Sequence, residues 1–143
     1  MANANTINYV EHGTDILGAL QAVEARIAER GIETALHHLV QLRASQINKC
    51  GYCVKMHTRD ARKDGETNKR LDHLIVWRHV SDFTPREKAA FAWTEALTGL
   101  NDATDFGALR SELKTHFSDN EITSLTSIVA MINLWNRIQI SNH

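Results

Sequence analysis

One proline in 143 residues, Pro85, and seven glycines that fall mostly between periodic apolar segments point this chain toward helices joined by short turns. Strand signals are nearly absent. From Thr14 to Arg30, Ile16, Leu17, Leu20, Val23 and Ile27 recur at helical spacing, and Gly31 follows as a stop. A second helix is predicted from about Thr34 to Ile47, with Leu36, Leu39, Val40 and Leu42 apolar. It reaches Asn48, read as the N-cap of a third helix over about Lys49 to Asp64 that Gly65 ends. Leu71, Leu74, Ile75 and Trp77 mark a stripe on a helix starting near Thr67.

"TPRE" at 84–87 combines a capping Thr84, Pro85 in the first helical position and Glu87 in the third, opening a helix that runs to Gly99. A polar loop, "NDATD", precedes a short helix through Phe106, Leu109 and Leu113. "SDNE" at 118–121 repeats the capping chemistry before a last helix through Ile138 that is apolar on more than one side. Such a helix lies deep in a core or at a subunit contact. The expectation is an all-α, compact bundle of about seven helices, oligomeric, with residues 1–13 as an N-terminal extension and 14–143 as a single domain.

Charge removes several classes of partner. The formal net charge is −1, with Lys and Arg scattered, so there is no electrostatic footprint for nucleic acid or an acidic membrane surface. The N-terminal stretch lacks the basic start and apolar run of a secretory signal, and no stretch approaches a membrane span. The expected setting is cytoplasmic. Thiols are kept reduced there, so a close Cys pair points to catalysis or metal binding rather than to a structural staple.

Both cysteines lie in "NKCGYCVKMHTRDA" at 48–61. On a helix turning about 100° per residue, Cys50, Cys53 and His57 fall within roughly 60° of one another. Cα atoms three residues apart on a helix are roughly 5 Å from each other, within disulfide range. With Asn48 as N-cap, Cys50 would fall in the first turn, where unpaired N–H groups stabilise a thiolate, while His57, one turn beyond Cys53, would take or relay a thiol proton. The helix terminus favours Cys50 as the more acidic thiol and His57 favours Cys53, and the sequence does not rank the two.

Other readings stand beside this one. The cysteines are small residues of the kind often buried, and His57 fits a core or surface site equally. A zinc-binding structural module would need a fourth ligand from His37, His38, His73 or His79, with three ligands crowded on one helical face. A redox-sensing or small-molecule-binding oligomer would keep the dithiol without turnover. The αα-hairpin would bring one of His37 and His38 back over the cysteines, and His38, on the flank of its helix's apolar stripe, reads equally as a satisfied core histidine and as a catalytic one. His12, His116 and His143 read as solvated, and Trp77, Trp93 and Trp135 as core. Asn136 and Arg137 interrupt an apolar run and read as capping a neighbouring helix or facing a subunit.

"LVQLRASQINKCGYCVKMHTRDARKDGET" (39–67), "FTPREKAAFAWTEALT" (83–98) and "EITSLTSIVAMINLWNRI" (121–138) resemble the carboxymuconolactone decarboxylase family in its alkyl hydroperoxidase D-like (AhpD-like) branch. The likeness covers about residues 14–140. It implies an all-helical subunit, homo-oligomers often trimeric or hexameric, and thiol-dependent peroxidase activity in antioxidant defence. No cofactor is implied. The partners would be a hydroperoxide substrate and a thiol or dithiol reductant such as a thioredoxin-like or lipoyl protein. By this resemblance Cys53 is the peroxidatic thiolate that becomes sulfenic acid, Cys50 the proton donor and resolving thiol, and His57 part of the proton relay. Family members usually carry a glutamate twelve residues before the first cysteine as terminal base. That position here is His38, which would act as relay base itself unless Glu33, Glu66 or Glu95 supplies the carboxylate.

Overall fold

The computed structural model describes residues 4–143, and its order is helical throughout, with no strand among the described residues. Among the described residues eight α-helices follow one another: α1 (Tyr9–His12), α2 (Thr14–Ala28), α3 (Thr34–Ile47), α4 (Gly51–Lys63), α5 (Asn68–His73), α6 (Pro85–Gly99), α7 (Phe106–Lys114) and α8 (Asp119–Ile140). The short α1 lies in the segment before Thr14 and is pinned to the chain end, where Tyr9 and Ser141 hydroxyls hydrogen-bond at 2.7 Å. No helix among the described residues is long and apolar enough to cross a membrane.

Helix α3 is the hub, packing against α4, α6 and α8. Its Leu36, Leu39, Val40 and Leu42 meet Phe91 of α6 and Leu125, Ile128 and Val129 of α8 in one buried cluster. Trp77 and Trp93 are buried in that cluster, and Trp135 packs against it half-buried. Each buried Leu or Ile adds about 1.5–3 kcal/mol relative to leaving it in water, which is what holds α3 at the centre.

The predicted helix starts at 84–87 and 118–121 are both capping boxes. Thr84 and Ser118 accept from the backbone of Glu87 and Glu121, whose carboxylates bind back to the cap N–H. Gly31 (φ 85°) and Gly65 (φ 97°) take the left-handed turns that end α2 and α4, a conformation that costs other residues about 1–2 kcal/mol.

One detail here departs from the sequence expectation. Leu71, Leu74 and Trp77 are spaced by three, so they line one side only where the chain tightens, and Leu74–His79 is a 3₁₀ helix following α5. Ile75 is consequently turned outward, 62% exposed, and leaves the stripe assigned to it. Helix α6 ends at Gly99, as the sequence predicts, and the left-handed cap beyond it is Leu100 (φ 50°, ψ 44°), itself 65% exposed. Leu100→Gly is therefore expected to raise the unfolding free energy by about 1 kcal/mol, read as a higher urea midpoint at unchanged m value.

Candidate active site at the start of α4

The cysteine motif begins at a tight junction. Asn48 caps the C-terminus of α3 instead of the N-terminus of α4, Lys49 turns through the left-handed region (φ 57°), and Cys50 is the N-cap of α4. The Lys49 N–H donates to Gln46 O at 3.2 Å and the Cys50 N–H to Ser45 O at 3.1 Å, the pattern of a Schellman motif. The expected Asn48 cap is thus displaced by two residues. Its side chain is engaged elsewhere: Nδ2 donates to Asn133 Oδ1 and to Asn136 Oδ1 on α8, both at 2.9 Å. Asn136 is fully buried and also donates to Ser45 Oγ at 3.0 Å, so it braces the end of α3. Arg137, its neighbour, bonds back to Asn133 of its own helix.

With Cys50 at the cap, its sulfur sits on the helix end and accepts the Cys53 N–H at 3.3 Å. Donors and dipole at such a position stabilise negative charge on sulfur. Cys50 and Cys53 are joined as a disulfide with Cα atoms 5.3 Å apart, and both are buried. The dithiol and disulfide states therefore need little backbone movement between them.

His57 follows one turn beyond Cys53 and is buried, with its Nε2 lacking any partner in the protein. Burial pushes its pKa down to about 4, the nearby His38 pushes the same way, and Asp60 opposes them. His57 lines two recesses. A cavity of about 570 Å³ runs past Glu24 of α2, His37 and His38 of α3 and Asp60 of α4. A second, of about 370 Å³, is bounded by Tyr52, Met56 and Trp135.

His38, at the position where the family's glutamate was expected, is brought to the same cavity as His57. Its Nε2 lies 2.6 Å from Asp64 Oδ2, and its Nδ1 is buried without a partner. None of the three carboxylates offered from sequence reaches the cavity. Glu33 pairs with Arg86, Glu66 with Arg70, and Glu95 with Arg43 and Arg78 while accepting the Trp77 indole N–H, so all three are committed elsewhere. The carboxylates around the site are instead Asp64, Asp60 and Glu24, the last accepting the Trp135 indole N–H at 2.8 Å. Neither Asp64, at the C-cap of α4, nor Glu24, on α2, stands in a pattern that marks it beforehand.

His37 shares the cavity, and burial together with His38 lowers its pKa to about 4. Both His37 and His57 are thus neutral when folded and take up a proton on unfolding between about pH 6.5 and pH 4. Their contribution is complete above that window and lost as pH falls through it. Stability is expected to drop by about 2 kcal/mol per ring between pH 7 and pH 5. Urea unfolding at both pH values checks this, and His57→Gln should halve the loss.

No group of three or more His, Cys, Asp or Glu side chains among the described residues is arranged to hold a metal ion. The four-ligand set of a zinc module is therefore not assembled around Cys50, Cys53 and His57.

Residues 15–96, more than half of the chain and including the whole cysteine–histidine motif, match the carboxymuconolactone decarboxylase family. The chain belongs to that family. Among its relatives is the uncharacterised protein YdfG of Bacillus subtilis, 31% identical over 135 residues, which are 94% of this chain and 92% of that protein. A crystal structure of a protein of unknown function from Agrobacterium tumefaciens, suggested to be the antioxidant defence protein AhpD, superposes with a TM-score of 0.90 at 34% identity, covering 95% of this chain and 93% of that one. The AhpD core of an uncharacterised peroxidase-related protein from Ralstonia eutropha shares the fold, with a TM-score of 0.80 at 21% identity over 92% of this chain and 70% of that one. The fold is thus the all-helical one of AhpD-like members of the family.

Proposed function

We propose that this protein is a dithiol peroxidase that reduces hydroperoxides in antioxidant defence by cycling Cys50 and Cys53 between dithiol and disulfide. The observation that carries the reading is one arrangement: two buried sulfurs in bonding contact at a helix N-terminus, with a buried imidazole one turn on whose Nε2 is unpartnered beside a cavity. Family membership and the likeness to the Agrobacterium protein support the same chemistry.

In the reduced protein Cys53 gives its thiol proton to His57 and the resulting thiolate attacks the terminal hydroperoxide oxygen. The O–O bond breaks as the S–O bond forms. The alkoxide takes the Cys50 proton and leaves as alcohol, with Cys53 now sulfenic acid. The Cys50 thiolate then attacks the Cys53 sulfur, the S–S bond forms, and the departing hydroxide recovers the first proton as water. Two thiols and one hydroperoxide thus become a disulfide, an alcohol and water. A thioredoxin-like or lipoyl dithiol returns two electrons and two protons, which keeps the expected cytoplasmic setting.

Steady-state assay tests the proposal. Reduced protein supplied with a dithiol reductant should consume an alkyl hydroperoxide and release the alcohol mole for mole. A disulfide that forms with peroxide but sustains no turnover with any dithiol would leave a redox sensor in place of an enzyme.

A further inference from the structure

Among the described residues, two buried side-chain polar atoms have no partner, His38 Nδ1 and His57 Nε2, and both belong to rings on the wall of one cavity. We infer that His38 and Asp64 form a carboxylate–imidazole dyad that receives the proton released from the cysteine pair through His57, with Asp64 as the positioning residue. This deepens the reading above and rests on its assignment of Cys53 and His57.

The contact of 2.6 Å between His38 Nε2 and Asp64 Oδ2 places the ring proton on Nε2, because a carboxylate accepts. The lone pair of a neutral His38 is then at Nδ1, the atom left open inside the protein. A cavity of about 570 Å³ has room for a water between Nδ1 and the His57 ring. His57 takes the thiol proton on one nitrogen and releases a proton from the other.

His57 is a poor place to leave that proton. It is buried, and its surroundings hold its pKa near 4, so it passes charge on instead of storing it. His37 is held near 4 by the same burial. The Glu24 carboxylate accepts from Trp135, and Asp60 faces Arg59 at 3.0 Å. His38 alone of the three rings has a carboxylate bonded to it, so a proton arriving at Nδ1 turns that contact into a charge-assisted hydrogen bond. Exposure rises along the same line: His57 is 6% exposed, the His38 side chain 18% and the Asp64 side chain 48%. The proton ends where water reaches it.

The dyad makes a prediction whose sign separates it from simple electrostatics. Removing a carboxylate near a thiolate should, by Coulomb's law alone, make the thiol more acidic. If Asp64 works through His38, its removal weakens the proton acceptor and makes Cys53 harder to ionise. The measurement is the pH dependence of iodoacetamide alkylation of Cys53 in the reduced protein, resolved from Cys50 by peptide mass. The expected result is that Asp64→Asn moves the midpoint up by about one pH unit, a roughly tenfold loss of thiolate at neutral pH. Asp64→Glu restores it. His38→Ala gives the same shift, and the double variant shifts no further.

A midpoint that stays or moves down in folded Asp64→Asn overturns the dyad, as do single shifts that add in the double variant. Because alkylation needs no peroxide, the two proposals separate. A protein without peroxidase turnover whose midpoint still rises in Asp64→Asn keeps the dyad and loses the peroxidase. Turnover with an unmoved midpoint does the reverse.

Discussion

Cys53→Ser is expected to lose hydroperoxide reduction by roughly a thousandfold or more, since it removes the nucleophile while leaving binding and fold in place. Serine differs from cysteine by one atom at a site 2% exposed, so the circular dichroism spectrum should be unchanged. Cys50→Ser should behave differently. Its hydroxyl is a preferred N-cap and would accept the N–H that the Cys50 sulfur now accepts, so α4 keeps its start. Cys53 in this variant still reacts once with hydroperoxide, but no resolving thiol follows, and a sulfenic acid accumulates that dimedone traps. Equal activity losses with no trapped adduct in Cys50→Ser would reverse the roles of the two sulfurs.

The second large effect is on stability. Asn136→Leu is expected to cost about 2–4 kcal/mol in urea unfolding, although it adds apolar surface at a fully buried site. The amide fills a lattice no leucine reproduces: Oδ1 accepts from Asn48, Nδ2 donates to Ser45 Oγ, and Ser45 Oγ in turn donates to Gln41 O at 2.7 Å. Asn133 extends it, accepting from Asn48 and donating to Thr98 Oγ1 at 3.1 Å. Since Asn48 ends α3 two residues before Cys50, the lattice also sets the path of the chain into the motif. The variant should therefore alkylate Cys53 at an altered rate in addition to unfolding sooner. Stability equal to that of the parent protein would show that the lattice is dispensable.

Local chemistry was legible in the sequence wherever it is closed locally. The capping boxes at Thr84 and Ser118 and the left-handed glycines at 31 and 65 are settled within four or five residues, and they stand where the sequence puts them. The placing of Cys53 and His57 four residues apart on one helix, both buried, is of the same kind. Asn48 does not cap α4 because its side chain is claimed by Asn133 and Asn136, 85 and 88 residues away, and no local pattern competes with that. The tightening at Leu74–His79 follows from burying residues spaced by three, a signal that helical periodicity at 3.6 absorbs without trace.

The site divides in the same way. Its cysteines and His57 lie in one short stretch, so their grouping reads directly. The other titratable side chains around the cavity come from α2, α3 and α4, of which α3 and α4 pack against each other as a hairpin. Glu33, Glu66 and Glu95, the carboxylates that the sequence offers in place of the family's glutamate, are committed by the fold to arginines, while Asp64 lies 26 residues along the chain from the histidine it binds.

The most direct test of the account is a single turnover without reductant. Fully reduced protein mixed with one equivalent of an alkyl hydroperoxide should lose both free thiols in one kinetic phase, form the Cys50–Cys53 disulfide within a single chain, and release one equivalent of alcohol. Protein that retains both thiols while the hydroperoxide persists would contradict it.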